Sequence, residues 1–191
     1  MRAELSPLAD CYIIHDNRLG DDRGYFFESF NRNTFREQTG SDVNFVQDNQ
    51  SSSQRGVIRG LHFQRGEHAQ AKLVRVLKGR VLDVAVDLRK GSPTYGKSFS
   101  IELTEDNGLQ FFIPRGFAHG FEVLSEQAVF FYKCDNYYHK AADGGIYYLD
   151  PSLDIQWQTV ESERILSAKD QQLPLLQAIS ETLDFEYIQQ T

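Results

Sequence analysis

Hydrophobic and polar positions alternate most clearly between residues 72 and 133. In RVLDVAVDL (80–88), Leu82, Val84, Val86 and Leu88 share one face, and Val81, Asp83, Ala85 and Asp87 share the other. A period of two over nine residues specifies a strand. KLVRVL (72–77) repeats the pattern, with Lys72, Val74 and Val76 on one side. The intervening Lys78-Gly79 is a turn dipeptide and predicts a hairpin. GSPTYG after Arg89-Lys90 marks another turn, and Phe99, Ile101 and Leu103 alternate beyond it. LQFFI (109–113) stops at Pro114-Arg115-Gly116. GFEVL (120–124) and AVFFYK (128–133) predict a second hairpin around Ser125-Glu126, with Tyr132 aligned on Phe130 and Ala128. Short strands at regular intervals, separated by turns, predict an antiparallel sandwich or barrel of jelly-roll type.

Outside this region the pattern is weaker. The first third is irregular and polar. Within it DDRGYFFESF (21–30) predicts a turn at Asp22-Arg23-Gly24 followed by an aromatic run, and Asn33 is a candidate cap for a helix over Thr34–Thr39, ended by Gly40. From Ser167 onward the chain reads as a loop and a helix-prone tail (LPLLQAISETL).

Composition narrows the class. A chain of 191 residues predicts a single domain over 1–191, long enough to bury a sizeable core. Apolar residues at 40% and charged residues at 25% exclude a disordered chain and a helical membrane protein. Twenty basic residues against 27 acidic ones leave a net charge of −7, which disfavours non-specific nucleic-acid binding but permits an anion site where a few cations converge. Cys11 and Cys134 are too few and too far apart in sequence for a disulfide scaffold and read as free thiols of a reducing compartment. The N-terminal stretch has no apolar run of signal-peptide length, so a soluble, cytoplasmic protein is expected.

Several ionisable residues interrupt the apolar strands. His62 in GVIRGLHFQ faces away from Leu61 and Phe63. Arg59 would face away from His62 in a regular strand, unless Gly60 bends or bulges the chain. Taken singly, His62, Lys72 and Tyr132 each read as ordinary core or surface residues. It is the joint occurrence of a base, a cation and a phenol on strands of one small barrel that points to a site. A metal reading rests on His62, His68 and His119. Pro114-Arg115-Gly116-Phe117-Ala118-His119 is similar to the second metal motif of cupins, but the first motif's His-x-His reads His62-Phe63-Gln64, and Gln64 is a poor transition-metal ligand. The sequence has no Gly-rich phosphate loop, Gly-x-Ser-x-Gly elbow or Cys-x-x-Cys, so nicotinamide and nucleophilic chemistry lack support.

Taken in order, DDRGYFFESF, VQDNQS, GVIRGLHFQ, AQAKLVRVLKGRVLDVAVDLRKGSPTYG, FIPRGFAHGFEVLSE, FYKCDNYY, DPSLDIQW and ILSAKDQQLP resemble the dTDP-4-dehydrorhamnose 3,5-epimerase family. The resemblance implies a mainly β, cupin-type antiparallel jelly roll with short flanking helices. It also implies a homodimer and a cofactor-free, metal-free epimerase acting on a nucleotide-linked keto sugar, dTDP-4-dehydro-6-deoxy-D-glucose. By that resemblance His62 is the base and Asp170 its carboxylate partner. Lys72 stands beside the C4 oxygen, and Tyr132 is the proton donor on the opposite face. His119 contacts substrate, and Arg23, Arg59 and Lys169 serve the diphosphate. Glu28, Gln47, Asn49, Tyr138 and Asp143 fall on further binding positions, while Phe26 or Phe27 offers an aromatic surface. The chain departs from the family pattern in RGEHAQ (65–70), which lacks a common proline, in GGIYYLDP, and at Asp143, where Glu is frequent. These departures bear on substrate preference. They leave open a mono-epimerase or ketoisomerase on a related sugar, beside the metal-dependent cupin and a nucleotide-sugar binder without turnover.

Overall fold

The computed structural model describes residues 1–188. The last three residues of the expected 1–191 domain lie outside the described residues. In chain order the strands are β1 (Arg2–Leu5), β2 (Tyr12–His15), β3 (Leu19–Asp21), β4 (Gly24–Phe26), β5 (Gln47–Gln54), β6 (Ile58–Gln64), β7 (Lys72–Lys78), β8 (Arg80–Asp87), β9 (Ser98–Thr104), β10 (Leu109–Ile113), β11 (Phe117–Val123), β12 (Gln127–Cys134) and β13 (Asp143–Gly145). Helix α1 spans Arg32–Thr39 and the short α2 spans Leu176–Ile179. A six-stranded sheet in the order β1-β2-β10-β7-β12-β5 faces a five-stranded sheet in the order β13-β6-β11-β8-β9, and β3 and β4 form a separate hairpin. The pairings within both sheets are antiparallel. This is the mainly β sandwich that the alternation predicts.

Three apolar clusters bind the layers. Val74, Val76, Phe111 and Phe130 of the six-stranded sheet meet Val81, Ala85, Phe117 and Val123 of the five-stranded sheet in the central core. Leu82, Val84, Val86 and Leu88 point the other way, under a C-terminal layer that includes Ile146, Tyr148, Trp157, Leu176 and Phe185. Strand β8 is thus buried on both faces, which explains its nearly continuous apolar character. On the far side, Phe35 of α1 packs on Ile14, Leu73 and Phe112.

Two expectations are corrected. The turns at Lys78-Gly79 and Ser125-Glu126 do not close hairpins: β7 and β12 belong to one sheet, β8 and β11 to the other. Each turn carries the chain across the sandwich. A turn dipeptide reports reversal of direction, and reversal is equally compatible with face-to-face packing. The helix begins two residues before Thr34, because Asn31 is the cap and accepts from the N–H groups of Asn33 and Thr34 at 3.0 and 3.2 Å. Gly40 ends it at φ 73°, as expected. The polar first third contains a long strand that the pattern did not signal, β5, with sequence QDNQSSSQ.

Candidate active site

The two sheets part at one end around a cavity of about 610 Å³. Its walls take Asn49 from β5, Arg59 and His62 from β6, Lys72 from β7, His119 from β11 and Tyr132 from β12, with Lys169 and Asp170 from the segment after Ser167. An adjoining mouth of about 210 Å³ shares His62, Lys72, Tyr132 and Lys169 and adds Tyr138 and Asp143.

Arg59 and His62 line the same cavity because the chain bends between them. Gly60 has φ +119°, and a Cβ there would come within 2.7 Å of the Gly120 Cα and the His119 carbonyl oxygen. The β6–β11 register shifts at this point, between His119 and Phe121. A backbone crossing this close requires glycine, and the bulge re-aims the side chains on either side of it.

His62 Nε2 donates to Asp170 Oδ1 at 2.6 Å. The carboxylate fixes the tautomer, leaving Nδ1 as the free ring nitrogen of a side chain that lines the cavity. Burial raises the Asp170 pKa, but hydrogen bonds from His62, Ser167 and the Gly60 backbone, with the His62 charge, outweigh it and hold the group below its ordinary value. Asp170 therefore stays ionised and able to stabilise an imidazolium.

His119 sits directly opposite His62 in the β6–β11 ladder and has its own acid partner. Its Nε2 donates to Asp83 Oδ1 at 2.8 Å, while Asp83 Oδ2 is buried without a protein partner. Burial lowers the His119 pKa, against the pull of Asp83, so the ring is mainly neutral at pH 7. Asp83 is the site residue that reading the sequence missed. The available signal was an acidic residue on an inward strand face between Val81 and Ala85.

Lys72 and Tyr132 come from neighbouring strands of the other sheet. Burial lowers the Lys72 pKa, opposed by Cys134, Asp83 and Asp143. Burial raises that of Tyr132, so the phenol keeps its proton well past neutral pH. Cys134 pairs with Lys72 across the ladder, and burial pushes its thiol up to about 11. Both cysteines are buried free thiols.

The remaining expected residues divide. Asn49 lies opposite Tyr132 in the β5–β12 ladder. Gln47 Nε2 donates to Asn49 Oδ1 at 3.0 Å, and Gln47 Oε1 accepts from the Tyr138 backbone N–H at 3.0 Å, so Gln47 braces the rim. Arg59 Nε donates to Ser53 Oγ at 3.1 Å. Lys169 forms an ion pair with Asp143, and the Tyr138 hydroxyl donates to the same carboxylate at 3.3 Å. Arg23, Phe26 and Glu28 are not among the residues that line the cavity. They lie on and just after the β3–β4 hairpin, where Phe26 is 71% exposed and Arg23 pairs with Asp21. Of the histidines in the metal reading, His68 is stacked on His139 and does not line the cavity. No group of three His, Cys, Asp or Glu side chains gathers into a metal set among the described residues.

Comparison with known proteins identifies the family. Residues 6–178 match the family model of dTDP-4-dehydrorhamnose 3,5-epimerase. The chain is 51% identical over 171 residues to the dTDP-4-dehydrorhamnose 3,5-epimerase of Salmonella typhimurium, covering 90% of this chain and 93% of that protein. It is similar to the crystal structure of the enzyme of the same name from Elizabethkingia anophelis, with a TM-score of 0.91, 54% identity and coverage of 93% and 97% of the two chains. It is also similar to the dTDP-6-deoxy-D-glucose-3,5-epimerase of Legionella pneumophila in complex with dTDP-4-keto-L-rhamnose. There the TM-score is 0.93, with 46% identity and coverage of 98% and 99%. On its sequence and on its fold, this chain belongs to the dTDP-4-dehydrorhamnose 3,5-epimerase family.

Proposed function

We propose that the protein epimerises dTDP-4-dehydro-6-deoxy-D-glucose at C3 and C5, giving dTDP-4-dehydro-L-rhamnose, by proton transfer between side chains. The C4 ketone acidifies the protons on both neighbouring carbons. His62 removes one, with Asp170 stabilising the imidazolium that forms. The electron pair moves onto the ketone oxygen, and Lys72 stabilises the resulting enolate, a contribution of about 3 kcal/mol where such a donor is removed from comparable sites. Tyr132 returns a proton from the other face of the ring, inverting the centre. Acid, base and electrostatic stabiliser are all side chains, so the route calls for no metal or redox cofactor. The observation that carries this reading is the His62–Asp170 pair opening onto a cavity that Lys72 and Tyr132 also line.

The nucleotide is held in this reading by Arg59, Lys169, Asn49, Gln47 and Tyr138, with His119 against the sugar. Arg23, Phe26 and Glu28 join them from a second copy of the chain. A homodimer is supported by their position on a hairpin outside their own cavity, next to exposed Leu19 and Tyr25. The protein then acts as a single jelly-roll domain in the cytoplasm, supplying a deoxysugar for surface polysaccharide. No helix among the described residues is long and apolar enough to cross a membrane.

Incubation with the keto sugar in deuterated water, followed by NMR at C3 and C5, tests the reaction. Wild-type protein incorporates deuterium at both carbons with inversion. His62→Ala abolishes incorporation and leaves dTDP affinity nearly intact. Exchange at one carbon only would make the protein a mono-epimerase, and equal loss of binding and turnover would make His62 a structural contact.

A further inference from the structure

The cavity walls carry three Lys or Arg side chains among the described residues: Arg59, Lys72 and Lys169. Given the proposed function, on which this inference rests, Lys72 is committed to the ketone oxygen. Within the chain's own cavity the diphosphate must then draw on Arg59 and Lys169. Lys169 is already neutralised: its ammonium pairs with Asp143, which also accepts from the Tyr138 hydroxyl. Asp143 is set back in the rim, with its side chain 15% exposed, whereas that of Lys169 is 51% exposed. Strand β13 holds Asp143 opposite Gln64, two residues along the ladder from the Gly145–His62 pair. Lys169 directly precedes Asp170, the partner of His62. The ion pair therefore straps β13 to the segment that carries the catalytic carboxylate, across the mouth of the cavity.

We propose that Asp143 acts as a resident competitor of the diphosphate, a positioning residue that holds Lys169 and must surrender it when the nucleotide enters. Both anions seek one ammonium group. Entry of the nucleotide exchanges the carboxylate for phosphate oxygens, and departure restores the strap. Asp143 thereby weakens nucleotide binding and favours release. Direct recognition of the nucleotide by Asp143 would have the opposite sign.

The sign is what the experiment reads. Affinity for dTDP is measured by calorimetry at low and high salt for wild type, Asp143→Asn, Lys169→Gln and the double variant. Asp143→Asn should bind dTDP about two- to five-fold more tightly at low salt, the range of a partly exposed ion pair, and the gain should shrink at high salt. Lys169→Gln should bind less tightly. In the Lys169→Gln background the Asp143→Asn gain should largely vanish. Weaker or unchanged binding by Asp143→Asn overturns the proposal. So does an equal gain in both backgrounds, which would mean general repulsion rather than competition for Lys169. Asp143→Ser gives the same reading if the Asn variant misfolds. A wild-type protein that neither binds dTDP nor exchanges protons would instead defeat the functional reading itself. A wild type that does both while Asp143→Asn fails to tighten removes only this inference.

Discussion

One oxygen separates Tyr132 from a phenylalanine, and the proposed chemistry depends on it. Its ring packs against the central core and lies 6.0 Å from the Phe130 ring, so Tyr132→Phe keeps the apolar part of the side chain in place. His62 can still abstract, but the enolate then reprotonates from the original side or from water. Net epimerisation is expected to fall by about 10²–10⁴-fold while deuterium still enters with retained configuration. The pH dependence separates Lys72 from Tyr132. Lys72 must be charged to stabilise the enolate, and burial lowers its pKa below the usual 10.5, so exchange declines as the pH rises through that lowered value. Burial moves Tyr132 the other way, above its usual 10, so its phenol keeps its proton to higher pH than a free tyrosine. With Lys72 setting the alkaline limb of the exchange profile, that limb survives in Tyr132→Phe, and its loss would assign the limb to the phenol. Taken singly, His62, Lys72 and Tyr132 read as ordinary positions, and their roles, like that of Asp170, come from the resemblance of the surrounding segments, because strand periodicity gives the face of a side chain and not what meets it across the sandwich. Asp83 is harder still: an acidic residue between valines reads as the solvent face of an edge, and only the second sheet turns that face inward.

At the scale of elements, β11 runs through the middle of the five-stranded sheet and does two jobs. Its inward side presents His119. Its outward side presents Glu122, a fully buried carboxylate that accepts from the backbone N–H groups of Gln158 and Thr159 at 2.7 and 3.1 Å and from the Thr159 hydroxyl. This anchors the segment leading to Ile165, whose bridge to Val57 borders the cavity. Glu122→Ala removes the acceptor of three donors, two of them on buried Thr159, and is expected to cost about 2–4 kcal/mol, read as a lower urea midpoint at unchanged slope. The elements themselves were legible where one face is apolar. β8, β10 and β12 stand close to where the alternation puts them. β5 was not, because its residues face a polar cavity on one side and an open surface on the other. Neither side carries the apolar repeat that marks a strand, and pairing with β12 supplies the order instead. The two crossing turns differ from the expected hairpins for a related reason: local chemistry specifies a reversal, while the choice between pairing and stacking is made by the rest of the core.

For the molecule as a whole, the proposed exchange of hairpins between two copies has a consequence for mixtures. Arg23→Ala lacks a residue that serves the partner's cavity, and His62→Ala lacks one that serves its own. A heterodimer of the two unites an intact hairpin with an intact cavity in one of its sites. Co-expression or joint refolding should then restore activity that neither variant has alone, to roughly a quarter of wild type for random pairing into twofold dimers. No restoration would place Arg23 and His62 in the service of the same chain. The crossing of the chain between sheets has a consequence of its own. His62 hangs from the five-stranded sheet and Tyr132 from the six-stranded one, so in the proposed reaction the base and the acid approach the two faces of the sugar ring from different sheets. Stacked sheets stand about 10 Å apart, the width of one layer of interdigitated side chains. In the proposed reaction Phe111 and Phe117, packed deep in that layer behind the cavity-lining Phe130, work as the shims of a caliper, and the handedness of the product is gauged by the thickness of a hydrophobic core.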